Sequence, residues 1–242
     1  MSPLPVEMVT SNVAAGSIVK AGSEGMRAYA TPVPEPLDAR ERRELCDLFE
    51  ELGPEAPTLC EGWATLDLAA HLVVRERDPR SGPGIVLGGR FEALLDRVTA
   101  RAKGRGYERL VEQVRNGPPL GPFAVPGLRT LLNLNEYVVH HEDVRRANGL
   151  APRDDRPELQ DALWRLLGRT ARLMLRNARG VGVRLVRPDG TEIGVGSGPE
   201  AVLTGDPLEV VLYLQGRRGA AAVALTGDPG AVEVLQTASL GI

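Results

Sequence analysis

Asn135-Glu136-Tyr137-Val138-Val139-His140-His141-Glu142-Asp143 lies late in a run from Pro126 to Gly149 whose apolar residues recur at helical spacing. The run opens with Pro and closes with Asn148-Gly149, the punctuation of a helix. Four residues separate Glu136 from His140, so on a helix both side chains leave the same face, and a carboxylate oxygen and an imidazole nitrogen can converge on one point. His141 is rotated off that face. The chain holds three histidines. The third, His71, sits in a second amphipathic run, Thr65 to Arg77, with Thr65 as candidate N-cap and Asp67 in the first turn, where a carboxylate complements the helix dipole. Packed side by side, the two helices bring His71, Glu136 and His140 into a two-histidine, one-carboxylate set with an open coordination position, the donor set of a catalytic metal site. Hydrogen-bonded core histidines are the competing reading, because Glu/His pairs at this spacing are common.

Composition narrows the function classes. The chain has 242 residues, 43% hydrophobic and 25% charged, ordinary values for a globular protein able to bury a core. A formal net charge of −3 offers no electrostatic footprint for nucleic acid, and no apolar run approaches the roughly 18 residues of a membrane span. The N-terminus lacks a basic region followed by an apolar block, so no export signal is expected. Cys46 and Cys60, the only two cysteines, have no CxxC spacing and suggest neither a disulfide framework nor a thiolate zinc site. Both are read as inert small hydrophobes, and the expected location is the cytoplasm.

Working outward, residues 1–36 mix Pro, Gly, Ser and Ala without a period and are expected to form a disordered tail. From Leu37 to Leu52, the residues Leu45, Leu48, Phe49 and Leu52 make one apolar stripe with charges elsewhere, and Gly53-Pro54 stops the helix. A loop ending at Trp63 leads into the His71 helix, with Trp63 as hydrophobic anchor. After a linker at 80–84, helical signals cover 88–103 and 106–116, sharing Leu94, Leu95, Val98, Leu110 and Val114 as core candidates, and Asn116 to Pro122 reads as a rigid turn. Several helices with short connections imply an up-down bundle, whose interior takes metal ligands from facing helices.

Past Gly149 the pattern changes. A helix at 157–178 carrying Leu159, Leu163, Leu166 and Leu167 precedes an alternating stretch, 182–187, a turn at Pro188-Asp189-Gly190 and a second strand at 191–195. Leu203-Thr-Gly-Asp-Pro207 and Leu225-Thr-Gly-Asp-Pro229 echo each other as strand, tight turn, helix, with Asp206 and Asp228 as N-caps. The Gly194-x-Gly196-x-Gly198 spacing opens no helix and reads as a turn or bulge, not a phosphate loop.

These residues also carry a resemblance. Leu59-Cys-Glu-Gly-Trp-Ala-Thr-Leu-Asp-Leu-Ala-Ala-His71, Glu136-x-x-x-His140, and Leu212-Tyr-Leu-Gln-Gly-Arg-Arg218 with Thr226-Gly-Asp228 are similar to the mycothiol-dependent maleylpyruvate isomerase family and the wider DinB-like metal-binding superfamily, over about residues 37–242. The chain looks closer to an uncharacterised subgroup than to the isomerase itself, because the segment between His71 and Glu136 shows no match. The resemblance implies an α+β fold: a DinB-like up-down four-helix bundle over 37–155, then a small sterol-carrier-protein-like α+β domain over 156–242. It implies His71, Glu136 and His140 as ligands of zinc or another divalent metal, and mycothiol as a cofactor.

The implied activity is isomerisation or thiol transfer, with a small-molecule thiol and an electrophilic substrate as partners, in a monomer or homodimer that engages neither nucleic acid nor membrane. An open zinc position lowers the pKa of a bound thiol, which suits a chain whose own cysteines look inert. Arg75, one turn after His71 on the same face, is placed to pair with a substrate carboxylate as a catalytic residue. Arg217 and Arg218 follow Gly216 at a helix end and are candidates for reaching the cofactor across the domain interface. For all three arginines a solvated surface charge is the plainer alternative. A non-catalytic metal- or ligand-binding, stress-response module is the competing function.

Overall fold

The computed structural model describes residues 35–77, 92–118, 128–153 and 155–241. Helix α1 (Leu37–Leu52) buries the expected stripe of Leu45, Leu48 and Phe49 and ends where the Gly53 N–H bonds Phe49 O. In α2 (Thr65–Arg77), Thr65 is the first helical residue and not the cap. Its hydroxyl donates to Gly53 O, and Asp67 Oδ2 accepts from Ala64 N at 2.9 Å, the carboxylate half of a capping box. Helices α3 (Glu92–Lys103), α4 (Tyr107–Arg115) and α5 (Leu128–Ala147) follow. Helix α1 packs on α4 and α5, and α2 packs on α3 and α4. Leu68, Leu72, Leu110 and Val114 close this core with Phe49.

The second part runs α6 (Pro157–Met174), β1 (Gly182–Val186), β2 (Glu192–Gly196), β3 (Glu200–Thr204), α7 (Pro207–Leu214), β4 (Ala224–Gly227) and α8 (Pro229–Thr237). The sheet order is β2-β1-β3-β4, with β1 and β3 parallel and the other pairs antiparallel. Val183 and Leu185 face Ala201 and Leu203 in register, and all four are buried. Both echoed units fold as strand, turn and helix with Pro in the first turn; Asp228 Oδ1 accepts from Ala231 N at 3.0 Å, whereas the Asp206 side chain makes no cap bond. Gly196 ends β2 in a left-handed conformation at φ 79°, and a Cβ there would come within 2.5 Å of Val181 O. That close backbone approach accounts for the glycine without a phosphate.

The fold is α+β, with eight helices and a four-stranded sheet among the described residues, and Glu35–Ile242 forms one compact unit. The helix expected to reach 178 stops at Met174. The tail expected at 1–36 lies outside the described residues up to position 34, as do the 80–84 linker, the end of the turn expected at 116–122 and the Leu94 and Leu95 side chains. No helix among the described residues is long and apolar enough to cross a membrane.

Helix α5 is the centre of this arrangement. Tyr137 and Val144 enter the core with α1, α2 and α4, while Leu134, Val138 and Val139 enter the core with α6, α7 and the sheet. A helix buried on two sides carries apolar residues around its circumference, so its pattern is less one-sided than that of a surface helix.

The charges of α1 do not all face solvent. Asp38, Glu41 and Arg42 are buried because partners meet them. Arg42 grips Glu76 with both terminal nitrogens, at 2.5 and 2.7 Å, and lies over the Tyr137 ring. Glu41 accepts from Arg153 at 2.8 and 2.9 Å and pairs with His141 Nδ1 at 2.9 Å, while Arg153 Nε reaches Glu142 Oε1 at 2.7 Å. Removing one member of such a set leaves an uncompensated buried charge.

Arg153→Met should therefore lower unfolding stability by about 3–5 kcal/mol, read by urea denaturation at neutral pH. Burial raises the Glu41 carboxyl, but His141 and Arg153 outweigh it and hold it below the ordinary 4.5. The folded state thus binds fewer protons, so this stabilisation is complete above the ordinary value and is lost as pH falls through the lowered one. Glu41→Gln should be destabilised at neutral pH and show a flatter loss of stability on acidification than the unaltered chain.

Candidate metal centre

His71 sits near the middle of α2 and Glu136 and His140 on successive turns of α5, so their convergence is a matter of how two helices pack. His71 Nε2 lies 3.1 Å and His140 Nε2 3.3 Å from the same atom, Glu136 Oε1. The two imidazole rings stand edge to face with centroids 5.3 Å apart, and the Trp63 ring lies 5.2 Å from His71. The His71 and Glu136 side chains keep 19% and 23% of their surface open, against 11% for His140.

Arg75 is buried beside them. Its Nε is 3.2 Å from Glu136 Oε1 and its Nη1 donates to Asn133 Oδ1 at 2.9 Å. The sequence placed this arginine beside the site; the structure commits its guanidinium to protein oxygens, Glu136 foremost. Burial lowers the Glu136 carboxyl's acidity, yet His140, His71 and Arg75 outweigh it and the pKa falls well below 4.5. For His71, burial wins over Glu136 and the pKa lies below 6.5. For His140, burial is overcome by Asp143, Cys60 and Glu136, and the pKa rises well above 6.5.

Two residues that the sequence reading did not place at the site complete the surroundings. Asp143, fully buried and three residues after His140, faces His140 Nδ1 at 2.9 Å through Oδ2. The Cys60 thiol donates to the same oxygen at 3.2 Å and stands 4.0 Å from His140 Nδ1. Asp143 was findable, because an i,i+3 carboxylate shares the histidine's side of the helix. Cys60 was not, because it comes from the irregular segment between α1 and α2. It is no inert core thiol; Cys46 is, buried and with its pKa raised to about 12 by burial.

Arg217 and Arg218 separate. Gly216, in the left-handed region at φ 84°, closes α7: its N–H bonds Tyr213 O at 3.1 Å and the Arg217 N–H bonds Leu212 O at 2.9 Å, the pairing of a Schellman cap. The turn sends Arg217 to α5, where Nε donates to Asp143 Oδ1 at 2.9 Å and Nη2 to Oδ2 at 2.6 Å. Arg218 points elsewhere, lying over Tyr213 and donating to Leu235 O and Ala238 O; consecutive residues leaving a turn diverge. A cavity of about 520 Å³ lined by Cys60, Glu61, Gly216 and Arg217 opens beside the Asp143 end of this cluster.

Three groups among the described residues bring potential metal-ligand atoms within 4.8 Å of one another: His71, Glu136 and His140; Cys60, His140 and Asp143; and Glu41, Glu44 and His141. An arginine lies on a carboxylate of each group, Arg75 on Glu136, Arg217 on Asp143 and Arg153 on Glu41. The first offers two imidazole nitrogens and one carboxylate oxygen, a set suited to zinc or a similar divalent ion, and a carboxylate behind His140 of the kind that orients a ligating histidine.

The comparisons with known proteins come down to structure, since no family model and no curated protein sequence matches the chain. Two crystal structures align, the mycothiol-dependent maleylpyruvate isomerase at 19% identity and a histidine-to-alanine mutant of that enzyme at 18%. Each alignment has a TM-score of 0.53 and covers 78% of this chain and 89% of the other. The chain shares the isomerase fold. At this identity the likeness speaks for the fold alone.

With Cys46 sealed in the core and Cys60 partly open, a thiol-reactive chromogenic disulfide should label about one equivalent rapidly in the native protein. Cys60→Ser should abolish that phase, and rapid labelling of both thiols would contradict the placement of Cys46.

Proposed function

We propose that the chain is a zinc- or other divalent-metal-dependent enzyme that uses a small thiol, mycothiol, to isomerise or conjugate a small electrophilic metabolite. The observation that carries this reading is the convergence of His71 Nε2, Glu136 Oε1 and His140 Nε2 in a chain with the isomerase fold. In the same reading residues 37–155 are a DinB-like four-helix metal-binding bundle and residues 156–242 a sterol-carrier-like part. The packing of α1 on α4 and α5 and of α2 on α4 supports the first, and the two strand-turn-helix units support the second.

When bound, the ion supplies Lewis-acid chemistry that lowers the pKa of a thiol or water at its open position. The chain's residues do the rest. His71 and His140 each present Nε2 to the centre, and Glu136 brings the negative charge that a divalent cation needs. Arg75 holds Glu136 in place and sets positive charge beside the centre, which favours an electrophile bearing a carboxylate. The partial exposure of His71 and Glu136 supports access for a small molecule. Trp63, against His71, limits water on that side.

One observation favours a second reading. Arg75 and Arg217 are both paired with protein carboxylates, as in a non-catalytic metal- or ligand-binding module that has no need of a cation to capture substrate. Incubating the zinc-loaded chain with mycothiol and a panel of electrophiles that includes maleylpyruvate separates the two: turnover supports the enzyme, and bound zinc without turnover the module.

His71→Ala and His140→Ala should each remove most bound zinc, measured by elemental analysis after dialysis, while the helical circular-dichroism signal stays near that of the unaltered chain, because apolar burial supplies most of the stability. Glu136→Gln should weaken zinc binding less, since it keeps the shape and one oxygen but loses the charge. Equal metal content in all four proteins would remove the site.

A further inference from the structure

Asp143 and Arg217 stand outside the three proposed ligands, yet their geometry is directed at one of them. Asp143 has no exposed surface and receives three side-chain donors: Arg217 through both oxygens, the Cys60 thiol, and the His140 ring. Gripped in this way the carboxylate offers only acceptors, so His140 must turn an Nδ1–H toward it. The other ring nitrogen, Nε2, then points to Glu136 and His71. An imidazole held by one nitrogen has its tautomer and its ring plane set, and the opposite nitrogen becomes a directed donor atom.

The origin of the clamp matters as much as its chemistry. Asp143 belongs to α5, but Arg217 comes from the cap of α7, 74 residues away in sequence. The same two helices are tied a turn further on, where Arg146 donates to Glu209 at 2.5 and 2.9 Å and to Ala220 O. Glu209 in turn accepts from Ala222 N at 2.7 Å. A change in how α7 sits on α5 therefore moves Arg217 relative to Asp143, and through it the His140 ring.

We infer that Asp143 and Arg217 are positioning residues that lock His140 with Nε2 toward the centre, so that the cap of α7 sets the affinity of a metal site whose three ligands all lie on α2 and α5. The inference rests on the metal-centre reading above for its effect on affinity, while the ring orientation stands on its own. It assigns Arg217 to the ligand's support and not to capture of the thiol.

Titrating the full chain with Zn²⁺ alone, in competition with a chromophoric chelator, tests the affinity. Asp143→Ala should weaken zinc about 10–100-fold, the usual cost of losing the group behind a ligating histidine. Asp143→Asn, which keeps an acceptor for Nδ1–H, should recover part of the loss. Arg217→Met should weaken zinc by a smaller factor, and Asp143→Ala with Arg217→Met should be no worse than Asp143→Ala alone, because the arginine acts through the carboxylate. Unchanged zinc affinity in both single variants, or fully additive losses, would overturn the clamp. So would an Arg217→Met chain with unaltered zinc affinity and only a raised KM for the thiol.

Long-range ¹H–¹⁵N spectra of the metal-free chain supply a readout that needs no zinc. The His140 Nδ1–H should be held in the unaltered chain and in Asp143→Asn, and lost or shifted in Asp143→Ala. If the unaltered chain binds no zinc but shows this pattern, the clamp holds and only the metal reading fails. If the His140 signal is the same in all three, the clamp itself is wrong whatever the zinc titration gives.

Discussion

Two consecutive carboxylates on α5, Glu142 and Asp143, have no exposed surface, and most of the architecture around the site follows from neutralising them. A buried carboxylate without a cation costs several kcal/mol, so the chain must bring arginines to both. Arg146 reaches Glu142 from the next turn of the same helix and Arg153 from the segment after it. Arg217 reaches Asp143 from the end of α7. Each arginine also binds something else: Arg146 holds Glu209 on α7, and Arg153 holds Glu41 on α1. Two acidic side chains thereby draw α1, α6's leading segment and α7 onto one helix.

That pull has a chemical consequence at the other end of the same turns. Glu136 and His140 meet α2 at His71, while the carboxylates at the end of α5 are met by arginines, one of them from the second part of the chain. The site residues stay partly open while the charges behind them are sealed. Two neighbouring histidines respond in opposite ways. His71 meets one carboxylate and burial dominates, whereas His140 lies between Glu136 and Asp143 and is drawn toward its charged form.

Much of this was legible from local pattern. The Leu45, Leu48 and Phe49 stripe, the 188–190 turn, both strand-turn-helix units and the i,i+4 relation of Glu136 to His140 depend on spacing and turn chemistry, which act over a few residues. Reading fared worse where a charged residue is inside. Glu41 and Arg42 look like solvent-facing charges of an amphipathic helix, and only Arg153 and Glu76, 112 and 34 residues away, make their burial tolerable. Cys60 looked inert for the same reason, since nothing near it in sequence shows that Asp143 and His140 come alongside. Arg217 and Arg218 looked equivalent until the Schellman cap at Gly216 sent one to α5 and the other back over Tyr213.

The sequence by itself determined most of the elements, their approximate ends and their apolar faces, and singled out three residues of metal-ligating type, because periodicity, caps and side-chain chemistry are local properties. The tertiary structure alone decided that His71 Nε2 and His140 Nε2 meet at one oxygen of Glu136, that Arg75 is committed to that carboxylate, and that Asp143 and Arg217 stand behind His140. Those outcomes depend on how α2 and α7 pack on α5, where apolar faces and buried charges from segments distant in the chain must match together, a condition no single stretch of residues contains.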